Sequence, residues 1–200
     1  MPILSKSARA CFDAFVGHLN PLVHATLPTK APLYVEVLEG RPNFAVLGFQ
    51  GVYTIPLAST YGTIHMHLGQ SLECTEDKKR STNQRFQLRT RKYWYRIQRD
   101  PGGTADALVR WEYISPTLDE YADHGNRWCW RHVQMSHEMP MPKGKLDLDK
   151  AHTPCGFVLV EDILRFLISD LGVKPPCGKA QWHKKLIESE KKFFQEFNAR

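Results

Sequence analysis

Three runs rich in β-forming residues, Tyr93–Gln98, Ala107–Ile114 and Trp128–Met135, constrain this chain more than anything else in it. They are separated by the turn-like Asp100-Pro-Gly-Gly-Thr104 and by the acidic, polar stretch Ser115–Asn126. Sequential short strands with such links predict an antiparallel meander. Other strands precede it. Leu33–Leu38 and Phe44–Phe49 flank the Gly/Pro/Asn cluster Glu39–Asn43 and read as a hairpin. Val52–Leu57 follows, with Pro56 suited to an edge or a strand end, and then Gly62–Leu68. Glu73–Gln84 reads as a loop, and Met139–Gly144 as an irregular connection.

Helical periodicity occurs at the two ends. Ala8, Cys11, Phe12, Phe15, Val16 and Leu19 recur at steps of three and four, and Asn20-Pro21 is expected to end that helix. Val160, Ile163, Leu164, Leu167, Ile168 and Leu171 form a second stripe, with Glu161 and Asp162 in its first turn and Gly172 as its stop. A last helix is expected over Lys179–Asn198, where Trp182, Leu186, Ser189, Phe193 and Phe197 share a face. This order predicts a single α+β domain over residues 1–200, an antiparallel sheet with helices on one face, and 157–200 as its helical C-terminal part.

Composition supports an ordinary globular chain. Hydrophobic residues are 42% and charged residues 24% of 200, which sets aside disordered and collagen-like classes. No apolar run approaches the roughly 18 residues of a membrane span, and the N-terminus lacks a signal-peptide core, so a cytoplasmic location is expected. The cysteines, Cys11, Cys74, Cys129, Cys155 and Cys177, are odd in number and scattered without a C-x-x-C pair, which argues against a disulfide framework.

Charge is concentrated. Lys78, Lys79, Arg80, Arg85, Arg89, Arg91, Lys92, Arg96 and Arg99 are nine of the 27 basic residues, with no acidic residue among them, so the net charge of +6 belongs to this one segment. Phe86, Tyr93, Trp94 and Tyr95 are interleaved with them. Clustered cations replace phosphate counterions and exposed rings stack on unpaired bases, making Arg85, Arg89, Arg91, Lys92, Tyr93 and Tyr95 candidates for binding RNA or another single-stranded nucleic acid. The same pattern also fits a solvated loop followed by a strand whose aromatics are core.

Strand alternation places Arg110 and Glu112 on one face of their run, Arg96 with Trp94 and Gln98 on one face of theirs, and His132 with Gln134 on one face of the third. If these strands pair, Arg96, Arg110, Glu112 and His132 converge. A histidine beside a carboxylate and arginines can cleave RNA: one group removes the 2′-hydroxyl proton, another protonates the leaving oxygen, and guanidinium stabilises the phosphorane. A sheet face laced by ion pairs is the alternative.

Other patterns carry less. Cys129-x-x-His132 and His152-x-x-Cys155 mirror each other with zinc-type ligands, but positions three apart on a strand face opposite ways, so Cys129 and His132 share a metal only if the strand ends or bulges there; the expectation is no metal and no cofactor, with a zinc-dependent variant as the third reading. His65 and His67 point the same way and read as an exposed strand face. Cys11 and Cys177 have no base near them in sequence, and no phosphate-cradling glycine loop is present.

Tyr93-Trp-Tyr-Arg-Ile-Gln98, Val109-Arg-Trp-Glu112 and His132-Val-Gln134, followed by a terminal helical segment, resemble the order Y-x-Y-H, R-Y-D-N and H-x-H of the TumE family, the toxin halves of bacterial toxin–antitoxin pairs. The chain is also similar to uncharacterised bacterial proteins with R-W-E-Y, H-V-Q and a late H-x-P-x-G element, here His152-Thr-Pro-Cys-Gly156. The resemblance implies that Arg96 stands in place of the family histidine, Arg110 and Glu112 in place of the arginine and aspartate, and His132 and Gln134 in place of the paired histidines. It implies a metal-independent endoribonuclease with an antitoxin protein as partner. A non-catalytic module that binds RNA, DNA or an acidic partner through the basic segment is the other expectation.

Overall fold

The computed structural model describes residues 4–79, 81–102, 107–115, 131–135, 138–141, 144–147 and 153–196. The order is β1 (Leu4–Ser5), α1 (Ala8–Thr26), β2 (Leu33–Leu38), β3 (Arg41–Phe49), β4 (Ile55–Ser59), β5 (Gly62–Glu76), a 3-10 turn at Thr82–Gln84, β6 (Phe86–Gln98), β7 (Val109–Ile114), β8 (Arg131–Met135), β9 (Glu138–Met141), β10 (Gly144–Asp147), β11 (Thr153–Pro154), α2 (Val160–Ser169) and α3 (Trp182–Glu196). The main sheet runs β11-β8-β7-β6-β5-β3-β2, with every neighbouring pair antiparallel, and is largely a meander. β4 pairs the first part of β5 and β3 pairs its later part, while β6 follows the opposite edge of β5 along most of its length. The fold is α+β, an N-terminal helix and two C-terminal helices on an antiparallel sheet.

Alternation decides which face is core. Leu68, Met66, Tyr93, Tyr95 and Ile97 are fully buried on one side of β5 and β6, together with Phe12, Phe15 and Leu19 of α1 and Leu164 and Leu167 of α2. Trp111 of β7 meets Phe166 of α2 edge-on, with ring centroids 5.3 Å apart. α3 packs on α1 and α2. Glu161, buried in the first turn of α2, accepts the hydroxyl of Ser189 from α3, and His18 of α1 places Nε2 3.9 Å from the same carboxylate, so one polar cluster joins all three helices. Among the described residues no helix is long and apolar enough to cross a membrane.

Several expectations are corrected. Asn20-Pro21 does not end the first helix; Pro21 lies inside α1, which continues to Thr26. An interior proline costs a helix about 3 kcal/mol, but Leu22, Val23 and Leu27 beyond it are buried, and Asn20 anchors the turn by exchanging hydrogen bonds with the Leu33 backbone. Glu73–Glu76 is strand rather than loop. Leu72 and Cys74 are buried there while Glu73 and Thr75 stand opposite Arg89 and Gln87, so the polar composition belongs to one face only. β6 likewise begins at Phe86, well before the aromatic run. Of the irregular connection expected at Met139–Gly144, Met139–Met141 and Gly144 belong to the antiparallel pair β9 and β10, while 142–143 lie outside the described residues. The strand expected at Val52–Leu57 starts at Ile55, as an edge strand with Pro56 exposed. Gly172, left-handed at φ 71°, does stop α2, with the Val173 N–H returning to the Leu167 carbonyl at 3.0 Å.

Candidate nucleic-acid interface

The face of the sheet turned away from the helices carries the basic residues. Register sets two rows across it. In one, His67, Arg96, Arg110 and Gln134 stand on adjacent strands; in the next, Gly69, Trp94, Glu112 and His132 do. Arg96 and Arg110 are therefore direct cross-strand neighbours, an arrangement that like charges disfavour unless a carboxylate intervenes. Glu112 does so. Its Oε1 lies 3.5 Å from Nη2 of Arg96 and 3.4 Å from Nε of Arg110, with all three side chains about 30% exposed. One carboxylate between two guanidiniums leaves a net positive charge on a half-open surface, a suitable place for a phosphate. His132 takes the register position directly across from Glu112. Its side chain lies outside the described residues, as do Trp128, Cys129, Trp130 and His152.

Toward the start of β6 the cations separate into bound and available. Arg91 sits at a register shift between β5 and β6 and reaches Glu73 at 3.2 Å; Arg85 lies 3.6 Å from Glu76. Arg89 is exposed, and Lys92 places its ammonium 6.0 Å from the centre of the Trp94 ring. The two tyrosines expected to offer rings to bases do not. Tyr93 and Tyr95 are wholly buried on the helix-covered face, stacked with centroids 4.7 Å apart. Their hydroxyls are used internally, Tyr93 accepting the Val158 N–H at 3.0 Å and Tyr95 the Gln70 amide. Burial pushes the Tyr95 hydroxyl well above the usual tyrosine range, so it stays protonated. Alternation made this legible: Trp94, between them, had to face the other way.

Trp94 belongs to a group the sequence reading missed. His67, expected on an exposed face, is 7% exposed. Its Nδ1 is 2.7 Å from the Tyr53 carbonyl and its Nε2 2.8 Å from Nε1 of Trp94. A carbonyl only accepts and an indole N–H only donates, so Nδ1 carries the proton and Nε2 is the acceptor. Burial lowers the imidazole pKa, a contribution that the Tyr53 hydrogen bond opposes and the Arg96 charge reinforces; the net shift is downward and the ring is neutral. Gly69 makes room for this arrangement, because a Cβ there would lie 2.2 Å from the Trp94 ring. An isolated glycine inside a strand was the available signal for such a close approach.

Among the described residues no group of three or more His, Cys, Asp or Glu side chains is placed to hold a metal ion. Compared with protein-family models, with curated proteins and with solved structures, the chain matches none.

Proposed function

We propose that this protein acts on single-stranded RNA, binding it on the sheet face turned away from α1, α2 and α3 and cleaving it by general acid–base chemistry. The observation that supports this reading is the Arg96–Glu112–Arg110 cluster with His132 across from Glu112 in the register. The guanidiniums of Arg96 and Arg110 receive the non-bridging oxygens of the scissile phosphate and stabilise the charge of the phosphorane. His132 and Glu112 divide the proton transfers, one from the 2′-hydroxyl and one to the departing 5′-oxygen. DNA lacks the 2′-hydroxyl, so it binds without being cut. In the toxin form of this proposal, an antitoxin protein covers the same face.

A second reading rests on the same ion pairs. A carboxylate already engaged by two guanidiniums also fits a module that binds nucleic acid or an acidic partner without turnover. Incubating a labelled RNA oligonucleotide with the wild type and with His132→Ala separates the two. Cleavage by the wild type, its loss in the variant and unchanged binding support the nuclease. Binding by the wild type with no product leaves only the module.

A further inference from the structure

Tyr53 lies in the short loop between β3 and β4, and the residue is 53% exposed. That loop is fixed at both ends: the Gln50 N–H bonds the Pro32 carbonyl at 2.9 Å, and the Thr54 hydroxyl bonds the Pro101 carbonyl at 3.2 Å. Between these anchors the Tyr53 carbonyl accepts Nδ1–H of His67, and the tyrosine ring lies over the imidazole with centroids 4.1 Å apart and planes inclined by 30°. His67 is aligned in turn with Trp94, with centroids 6.4 Å apart and planes 23° from parallel. The rings form a graded stack on the face turned away from α1, α2 and α3, ordered by hydrogen bonds at both imidazole nitrogens, and Tyr53 is its exposed end.

An exposed aromatic ring held in a fixed plane loses little entropy when a flat partner settles on it. Its surroundings favour a nucleic-acid base as that partner. Arg96 stands directly across from His67 in the register, Lys92 lies against Trp94 at the other end of the stack, and Arg89, opposite Glu73, continues the basic row farther along β6, so the face that carries the ring also offers cations suited to phosphates. Tyr34, 45% exposed on β2, stands on the same face across from Gly48.

We propose that Tyr53 is a base-stacking platform for a single strand of nucleic acid, and that it gives this face a preference for unpaired bases. The inference rests on the nucleic-acid reading above and deepens it. Phosphate contacts alone would accept any polyanion, whereas stacking requires a base whose flat surface is free; stacking is also indifferent to the 2′-hydroxyl, so single-stranded DNA should bind as RNA does.

The test uses the full chain, a fluorescein-labelled oligothymidylate, which lacks the 2′-hydroxyl and is not cut, and a matching strand with abasic positions, followed by anisotropy. The wild type should bind the base-bearing strand roughly ten-fold more tightly than the abasic one. Tyr53→Ala should remove most of that difference while leaving the abasic affinity alone, and Tyr53→Phe should retain it. Equal affinity of the wild type for both strands, or undiminished discrimination by a folded Tyr53→Ala protein, overturns the platform and leaves the phosphate-binding face standing. Binding to neither strand overturns both.

Discussion

The indole N–H of Trp94 donates to Nε2 of His67 at 2.8 Å, joining β6 to β5 across the face that carries the basic residues. Because the Tyr53 carbonyl takes the other imidazole nitrogen, His67 can accept a proton only by giving up the Trp94 bond. This bond therefore couples the geometry of the face to pH.

The pH dependence has a definite sign. His67 in the folded protein has a pKa below its ordinary 6.5, chiefly through burial, so the unfolded chain binds the proton more readily. Its contribution to stability is complete above about pH 6.5 and falls as pH drops toward the folded value, by at most about 1.4 kcal/mol per pH unit. Thermal melts at pH 7.5 and 5.5 should show a smaller difference for His67→Gln than for the wild type. An identical difference in the two proteins would mean that His67 is not the titrating group.

Gly69→Ala should disrupt the same bond from beneath. The added methyl would lie 2.2 Å from the Trp94 ring, which must swing away from His67 to make room. A cost of about 1–3 kcal/mol is expected from such overpacking. The Trp94 indole N–H resonance, assigned by its loss in Trp94→Phe, should shift. A variant with wild-type melting and an unmoved resonance would show that the ring does not depend on the glycine.

Salt should report which cations meet phosphate. Arg85 and Arg91 have carboxylates within 4 Å, whereas Arg89 is exposed and Lys92 lies along Trp94. Replacing Arg89 and Lys92 together by glutamine should reduce the log–log salt slope of single-strand binding by roughly 1.4, about 0.7 for each lost phosphate contact. The Arg85, Arg91 pair should change it less. The opposite ranking would mean that the ion pairs open on binding.

Glu112→Gln separates catalysis from structure. The cluster is partly solvated, so the substitution should alter stability by under about 1 kcal/mol. Under the nuclease proposal it should lower RNA cleavage by a factor on the order of 10² to 10⁴. A folded variant that cleaves at the wild-type rate would exclude this carboxylate from the chemistry.

Much of the architecture was written in periodicity. Steps of two and of three to four are local properties of the backbone, so the central strands, the stripe ending at Gly172 and the shared face of Arg96, Arg110 and Glu112 were legible in the residues themselves. Where local signals conflicted with burial, burial won: Pro21 remained inside α1, and Glu73–Glu76 became strand because Leu72 and Cys74 had a core to enter. The sheet register lay beyond local pattern, since it depends on the mutual fit of strands far apart in the chain. Register alone brought Gly69 under Trp94 and His67 beside Arg96, turning a histidine expected in solvent into a buried, neutral link between Tyr53 and Trp94.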